Sequence, residues 1–420
     1  MKPARRVFVL GGAHSGFIGK FHPDFIWKGH PDFGKRSNPT LEEHIERAVI
    51  GALEKTGVSA AAVQKGYIGN FTGELFSKQG HLGAVVAGAH PDLDLKPFAR
   101  VEGACASGGL AVLGCVGAIS AGYDVTLAVG AEVQTTVNAA EGADYLARAA
   151  HYATQRALDP FTFPCLFARR AKAYRETYKV SEQDLARVVV KAYENANKNP
   201  NAHMRAFKMT LENASTPSDK NPLFLENKEF QAFMKVSDCS QVSDGASAIL
   251  LVSEAGLAKL GKRPQDASEI VAYGHATAPL AGKSDPLVMT TAGAAISEAY
   301  RDAGVGAKDV GVAEVHDCFS ITELLLYEAL GFAAKGHGVD LARDGSTRLE
   351  GRIPVNTGGG LIAFGHPVGA TGVKQVLEVF RQQKGLCGDY QIKSRPSLGV
   401  TANIGGDDRT AVVTVVKNLG

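Results

Sequence analysis

The sequence predicts an α/β protein made of two similar halves with an irregular segment between them. Two stretches 247 positions apart, beginning at Ala48 and Ala295, each show a helical pattern, a glycine, a short connection and a buried strand. The segment 138–235 is richer in charged and aromatic residues, with one amphipathic helix followed by stretches rich in Pro, Asn and Lys. The expected domains are an N-terminal half (1–137 with 236–264), an inserted loop domain (138–235) and a C-terminal half (265–420).

The helix of the first stretch carries the signals expected of an amphipathic surface helix. Thr40 and Glu43 have the spacing of a capping box, and one apolar face follows at helical spacing. An offset of 247 residues is too long for a solenoid, so two α/β units with their own sheets are favoured. Chance is the alternative, because helix–glycine–strand patterns are common in α/β proteins. Five pairs fall in register between the two stretches: Ala52 and Ala299, Gly57 and Gly304, Val58 and Val305, Val63 and Val310, and Ile68 and Val315.

Composition places the chain among ordinary globular proteins of a reducing compartment. Apolar residues make up 45% and charged residues 21% of the 420, and the formal net charge is +2. That balance excludes strong steering toward nucleic acid or an anionic membrane. The first apolar run, Val7 to Leu10, is too short for a signal peptide and predicts a strand. The six cysteines form no CxxC pair, so neither a metal site nor a disulfide framework is expected, and the cytoplasm is the expected location.

The first of three glycine-rich elbows is "VEGACASGGLAVLGCVGAISAG", which places Cys105 just before a helix. Ser107 is the expected N-cap, and the positive end of the helix dipole is expected to favour the thiolate of Cys105. Glycines at 103, 108 and 109 allow a tight turn and close approach of a ligand. A small core cysteine is the structural alternative, and Cys115 fits that description.

The second elbow, "NTGGGLIAFGHPVGATGVKQVLEVF", places His366 beyond a triple glycine and before a helix that Thr371 is expected to cap. It lacks the GK[ST] and GxGxxG patterns of phosphate-binding loops. A loop histidine bonded to backbone is the alternative.

The third elbow is "EVHDCFSITELLLYEALG", where Ser320 and Glu323 have capping-box spacing and predict a helix beginning near Ser320. His316 and Cys318 then lie at the carboxyl end of a strand, where open α/β sheets place their chemistry. Alternate residues of a strand point to one side, so both side chains are expected in one site, with Asp317 turned away in a structural role.

Two cysteines and two histidines on such elbows suit thioester chemistry. A thiolate attacks a carbonyl, an imidazole takes its proton, and further donors hold the oxyanion. A second thiol, with a pKa near the reference of about 8.5, can move a proton at carbon or sulfur. Thioester exchange coupled to formation or cleavage of a carbon–carbon bond needs all of these roles.

Over nearly its whole length the sequence resembles the thiolase family. "VEGACASGG" resembles the segment of the nucleophilic cysteine, and "NTGGGLIAFGHPVGATG" resembles the GHPxGxTG block. "VHDCFSITELLLYEALG" resembles the HDCF segment of the sterol-carrier-linked subgroup. The resemblance implies a duplicated five-layer αβαβα sandwich with two five-stranded sheets and an inserted loop domain. It also implies a homodimer or homotetramer, with coenzyme A as a substrate and no permanently bound cofactor.

The resemblance also implies residue roles. Cys105 is the expected acylated nucleophile, His366 its base, and His316 an oxyanion donor together with His366. A second oxyanion hole is expected from the backbone N–H groups of Cys105 and Gly405. Asn403 stands where familiar thiolases carry an acid/base cysteine, so that role falls to Cys318.

Two further positions follow from the resemblance. Ser240 matches a serine near the pantetheine of coenzyme A, with a turn serine as the alternative. Asp407 and Asp408 replace small or apolar residues of the family, and a solvated turn is the expected environment.

Two rival functions remain open on the sequence. One is a decarboxylating ketoacyl synthase, which would not need Cys318. The other is a weakly active subunit that scaffolds a partner in a multienzyme complex.

Overall fold

The computed structural model describes residues 1–420, which form nine strands and fourteen α-helices. The strands are β1 (Val7–His14), β2 (Lys65–Gly69), β3 (Phe98–Val101), β4 (Val125–Glu132), β5 (Gly245–Ser253), β6 (Ser268–Thr277), β7 (Val312–Val315), β8 (Leu398–Gly405) and β9 (Thr410–Asn418). The helices are α1 (Leu41–Thr56), α2 (Gly73–Phe76), α3 (Leu82–Ala87), α4 (Ser107–Ser120), α5 (Ala139–Leu146), α6 (Tyr152–Gln155), α7 (Thr162–Tyr178), α8 (Glu182–Ala196), α9 (Leu211–Ser215), α10 (Glu254–Lys259), α11 (Thr290–Ala303), α12 (Ser320–Ala329), α13 (Gly338–Arg343) and α14 (Thr371–Lys384).

The strands form one mixed sheet in the order β3-β2-β4-β5-β1-β6-β9-β8-β7. The expectation of a separate sheet in each half was wrong, because pairing of β1 with β6 joins the two. Five strands of the first half therefore adjoin four of the second, and only two residue pairs, Phe8 with Glu269 and Val9 with Ser268, join β1 to β6. The fifth strand expected in the second half is reduced to one parallel bridge, between Ala313 of β7 and Val355. Asn356, the residue after this bridge, has a positive φ of 54°, so the extended backbone stops there.

The duplication predicted from the sequence is present in the structure. Helices α1 and α11 end at Thr56 and Ala303, and the glycine after each adopts the left-handed conformation. Strands β2 and β7, which follow, begin at Lys65 and Val312, again 247 positions apart. The predicted capping box of Thr40 and Glu43 is formed at the start of α1. The predicted apolar face of α1 is buried: Ile45, Ala48, Val49, Ala52 and Leu53.

Helices α4 and α14 lie between the two halves and form the central layer of the sandwich. Their apolar side chains share a core of 21 buried residues with strands of both halves. On the outer faces, α1 packs against β1 and β5, and α11 packs against β6 and β9. This arrangement confirms the predicted layered α/β fold, and it brings the N-terminal ends of α4 and α14 together.

The segment between β4 and β5 contains five helices and no strand. The sequence predicted one amphipathic helix there, and this was wrong, because α7 and α8 are separate. Lys179 adopts a left-handed conformation that ends α7, and a capping box of Ser181 and Asp184 starts α8. Side chains of both helices join a core of 55 residues that also includes α11 and α12. None of the helices in the chain combines the length and the apolar character that crossing a membrane requires.

Candidate active site

Cys105 lies on a tight loop that connects β3 to α4. Ala104 adopts a positive φ of 51°, and the Ser107 hydroxyl holds this turn by accepting from the Gly103 N–H (3.0 Å) and donating to the Ala104 carbonyl (2.6 Å). The predicted N-cap role of Ser107 was wrong, because Ser107 is the first residue of the helix. Its hydroxyl bonds the loop instead of a helical N–H group.

Two glycines of α4 allow the catalytic loops to meet. A Cβ on Gly108 would lie 2.7 Å from the Gly369 carbonyl oxygen, and one on Gly109 would lie 2.8 Å from Asn403 Oδ1. Side chains at these positions would push α4 away from the segment before α14 and from the end of β8. The sequence predicted that these glycines allow a ligand to approach closely. In the structure they allow other segments of the chain to approach α4.

Three of the four predicted catalytic side chains form one compact group. One ligand atom from each of Cys105, His316 and His366 lies within 4.8 Å of the others. The two imidazole rings meet edge to face, with centroids 5.1 Å apart. Cys318 lies close enough to Cys105 that a thiolate on Cys105 would raise the pKa of Cys318. The structure thus brings residues from three distant elbows into one site.

Hydrogen bonds fix the orientation of His366. Its Nδ1 lies 2.6 Å from Thr371 Oγ1, and that hydroxyl donates to the Pro367 carbonyl at 3.3 Å. The hydroxyl proton of Thr371 points to the Pro367 carbonyl, so the hydroxyl oxygen accepts from His366. The proton of the His366 ring is therefore on Nδ1. Nε2 is left as a lone pair, and this buried atom has no hydrogen-bond partner. The predicted capping role of Thr371 was wrong, because its hydroxyl holds the histidine.

A second network fixes the tautomer of His316. Asn403 Oδ1 accepts from the Gly109 N–H at 3.1 Å, which directs the Asn403 amino group toward His316. That group donates to the Cys105 carbonyl (3.0 Å) and to His316 Nδ1 (3.2 Å). Since Nδ1 accepts, the proton of the neutral ring is on Nε2. Asn403 was noted in the sequence only as a missing cysteine, and this role has no local sequence signal.

Cys318 and Ser240 lie side by side at the start of α12. The Ser240 N–H donates to the Cys318 carbonyl at 2.8 Å, and Cys318 Sγ lies 3.9 Å from Thr322 Oγ1. The predicted capping box of Ser320 and Glu323 was wrong. The Ser320 hydroxyl donates to Asp238 at 3.0 Å. The helix begins at Ser320, as predicted, but no side chain caps it. Cys318 precedes α12, so helical spacing in the sequence does not identify the Thr322 contact.

Asp317, between the two site residues, faces the other way, as its predicted structural role requires. Its carboxylate accepts from the N–H groups of Leu361 (2.7 Å) and Ile362 (3.4 Å), in the glycine-rich segment before His366. Burial, and then the charge of Glu323, raise the pKa of Asp317. Asp317 therefore ties the third elbow to the second.

Burial controls the protonation of the site. It raises the pKa of the Cys105 thiol to about 12, while the N–H groups of Gly406 and Cys105 oppose this rise. It also lowers the pKa of His366 to about 3, with a further decrease from the charge of Lys374. The pKa of His316 lies well below its ordinary value for the same reason, with His366 adding to the effect. Burial therefore opposes the thiolate that the helix dipole is expected to favour at Cys105, and it favours a neutral thiol with neutral imidazoles.

The rate of alkylation by iodoacetamide tests this protonation state. Only the thiolate reacts, and a thiol pKa near 12 leaves little thiolate at neutral pH. The rate at Cys105 should therefore rise about tenfold per pH unit from pH 7 to 9, as expected below a thiol pKa. Mass spectrometry of the peptide containing Cys105 separates it from Cys239, which is also half-buried. A rate that is already constant at pH 7 would show a thiolate–imidazolium pair instead.

The backbone groups around Cys105 come from the end of β8. Gly405 lies against the elbow, and a Cβ there would collide with the Gly103 carbonyl. The N–H that faces the Cys105 sulfur belongs to Gly406, one residue beyond the predicted Gly405.

The side chains of Cys105, His316 and His366 are also of the types that a soft divalent cation prefers as ligands. Nδ1 of His316 is already hydrogen-bonded to Asn403.

Asp407 and Asp408 are buried, so the solvated turn expected for them was wrong. Asp407 pairs with Arg170 at 2.6 Å and with Arg169 at 3.0 Å, both on α7 of the segment between β4 and β5. Asp408 accepts from the N–H groups of Thr291 (2.8 Å) and Ala292 (2.9 Å) at the start of α11. These carboxylates join three parts of the chain beside the site.

Replacing Asp408 with alanine should reduce the stability of the protein. The change leaves two N-terminal amides of α11 without their acceptor, which typically costs about 1 kcal/mol in the free energy of unfolding. Urea unfolding measures the loss. Asp219→Ala, at an exposed position without an ion pair, is the control and should change stability far less.

Comparisons with known proteins agree with this fold. A family model described as "Thiolase, N-terminal domain" matches residues 31–255, and one described as "Thiolase C-terminal domain-like" matches residues 272–418. The acetyl-CoA acetyltransferase of Methanothermobacter thermautotrophicus is 36% identical over 383 residues, 90% of this chain and 94% of that protein.

Two solved structures share the fold. The first is the "Ltp2-ChsH2(DUF35) aldolase" (TM-score 0.78, 21% identity, covering 100% of this chain and 99% of that chain). The second is a monomeric SCP2-thiolase-like protein from Mycobacterium smegmatis (TM-score 0.72, 18% identity, covering 100% of this chain and 79% of that chain). Fold, site and matches together define an acyltransferase. The chain belongs to the thiolase family.

Proposed function

We propose that this thiolase transfers an acyl group from a 3-ketoacyl-CoA to coenzyme A through an acyl-enzyme on Cys105, or runs the reverse condensation. The single observation that carries this is the convergence of Cys105, His316 and His366 within 4.8 Å, with Cys318 beside them. A hydrolase would need only one thiol, whereas cleavage of a carbon–carbon bond also needs an acid for the departing carbon.

In cleavage, Cys105 Sγ attacks the 3-keto carbon while His366 Nε2 takes the thiol proton. The free lone pair of Nε2 supports this role, and Thr371 holds the ring in place. The bond between carbons 2 and 3 then breaks. Its electron pair leaves as the enolate of acetyl-CoA, and Cys318 gives its proton to that carbon.

In the second half-reaction, the thiolate of Cys318 takes the proton of coenzyme A. The resulting sulfur attacks the acyl group on Cys105, and His366 returns its proton to the Cys105 sulfur as it leaves. Both cysteines and the histidine end in their starting forms. The hydrogen bond from the Ser240 N–H to the Cys318 carbonyl places Ser240 beside Cys318, which supports a role for Ser240 in binding the pantetheine.

Charge developing on oxygen is stabilised at two places. His316 donates from Nε2 to the thioester enolate oxygen, together with His366 once it is protonated. The backbone N–H groups of Cys105 and Gly405 form the second hole, and the position of the Gly406 N–H at the sulfur supports Gly406 as a further donor.

Substrate, assembly and location are proposed at a coarser level. The similarity to an acetyl-CoA acetyltransferase supports short 3-ketoacyl-CoA substrates such as acetoacetyl-CoA. The role in fatty acid metabolism rests on the family resemblance, and the cytoplasmic location rests on the cysteine pattern of the sequence. A homodimer is supported by β3, the edge strand of the sheet, which has no strand partner on its outer side. The similarity to the Ltp2-ChsH2(DUF35) aldolase, whose name joins two components, supports a second protein as a partner.

The test is a panel of 3-ketoacyl-CoA substrates of different chain length, assayed for CoA-dependent loss of substrate. Mass spectrometry of the quenched enzyme should find the acyl group on the peptide containing Cys105. A modification elsewhere, or none at all during turnover, would contradict the mechanism. Malonyl-thioester consumption that survives Cys318→Ala would favour the ketoacyl synthase alternative.

A further inference from the structure

A basic cavity lies at the opposite end of α14 from the candidate active site. Its volume is about 630 Å³, within the range of small-ligand pockets. Five basic side chains line it: Lys55, Lys262, Arg381, Lys384 and Arg395. The only carboxylate in the lining is that of Asp266. Because α14 has 14 residues, its two ends are separated by about 20 Å, given a rise of about 1.5 Å per residue.

The cavity exists because the two halves of the sheet separate there. Strand β1 pairs with β6 only at Phe8 and Val9, so the outer edge of Leu10–His14 has no strand partner. A bulge between Val9 and Gly11, where Gly11 has φ of +132°, further disturbs this edge. Backbone polar groups of β1 therefore border the cavity alongside the basic side chains.

The positive charge of the cavity is not neutralised by the protein. Arg381 pairs with Glu378 at 3.0 Å, but Lys55, Lys262, Lys384 and Arg395 have no carboxylate within 4.0 Å. Lys384 Nζ donates to two neutral acceptors, Asn418 Oδ1 (2.7 Å) and the Gln265 carbonyl (2.9 Å), which leave its charge in place. Asp266 is paired with Arg263 at 2.7 Å. The C-termini of α1 and α14 end here and supply roughly half a negative charge each. Four unpaired cations exceed that amount, and the chain as a whole carries only +2.

The basic groups also disfavour one another's charge. Burial lowers the pKa of Lys384 to about 8, against the influence of Asp266, and the charge of Arg395 adds to the decrease. Burial and the charge of Arg381 lower the pKa of Lys55. A ligand with several negative charges would relieve this repulsion. The wall beside these groups is apolar, with Leu10, Phe380 and Leu386.

We propose that this cavity binds a nucleoside polyphosphate, with the phosphates near the four cations that have no carboxylate partner and the base against the apolar wall. The site is separate from the one that binds coenzyme A, and both can be filled together. Dependence on salt follows from the charges, so affinity should fall as ionic strength rises.

Isothermal titration with ATP, in the presence of saturating coenzyme A, tests the proposal. One ATP per chain is expected, with weaker binding of pyrophosphate, which lacks the base. Lys262→Glu/Arg395→Glu should lower the affinity for ATP at least tenfold while thiolysis of acetoacetyl-CoA stays unchanged. Lys262→Ala serves as the milder variant, and circular dichroism confirms folding.

Lys308→Glu, an exposed lysine without an ion pair, is the matched control for charge reversal and should bind ATP like the wild type. ATP binding that disappears when coenzyme A is added would place the nucleotide in the substrate site and overturn the proposal. Binding that is equal in wild type and double variant would overturn it as well.

Discussion

Replacing Cys318 with alanine should separate the two kinds of chemistry in this enzyme. Cleavage of acetoacetyl-CoA requires a proton on the departing carbon, and the loss of such an acid typically costs about 10²- to 10⁴-fold in rate. Acetylation of Cys105 by acetyl-CoA breaks only a carbon–sulfur bond, and a thiol leaves with much less assistance. The variant should therefore keep most of its acetylation while thiolysis falls by about three orders of magnitude.

Parallel assays of both reactions measure this difference. Cys105→Ala should abolish both, because no sulfur remains to carry the acyl group. Cys318→Ser keeps the volume of the side chain but not its acidity, so it should lose thiolysis to the same degree. Cys387→Ala, a buried cysteine beyond the C-terminus of α14, is the control. Equal losses of acetylation and thiolysis in Cys318→Ala would remove the acid/base role from Cys318.

The sequence predicted the layers of the fold and the three elbows because their signals are local. Helix C-caps such as Gly57 and Gly304 and the apolar face of α1 are set by neighbouring residues. Spacing alone succeeded for the capping box of Thr40 because that helix start is exposed and no distant group competes for the hydroxyl. The same reasoning failed at Ser320 and Thr371, whose hydroxyls bond Asp238 and His366.

The protonation of Cys105 depends on distant residues for a related reason. The helix N-terminus favours a thiolate, but burial raises the pKa of the thiol, and that burial comes from elements hundreds of residues away. The contact between Asn403 and the Cys105 carbonyl spans 298 positions. Reactive residue types can be recognised along a sequence, but the groups that orient them become visible only when the fold brings them together.

Replacing Asn403 with aspartate should remove the oxyanion donor by changing the tautomer of His316. The carboxylate can still accept from the Gly109 N–H, but it has no proton to give to His316 Nδ1. Nδ1 then donates to the carboxylate, and Nε2 becomes a lone pair facing the developing negative charge. Loss of one such donor typically lowers kcat by about 10²- to 10³-fold.

The pH dependence distinguishes this effect from simple structural damage. In the wild type, burial holds the pKa of His316 well below its ordinary value. A neighbouring carboxylate favours the charged ring and raises that pKa. Below the raised pKa the ring carries protons on both nitrogens, so Nε2 donates again and kcat of Asn403→Asp should recover as pH falls.

Asn403→Ala is the matched variant for this test. It lacks the hydrogen bonds but has no carboxylate, so its kcat should not recover in acid. Profiles of kcat between pH 5.5 and 8 compare the two variants. If both lose activity to the same extent with parallel profiles, Asn403 only supports the fold of the loop, and the tautomer of His316 is set by something else.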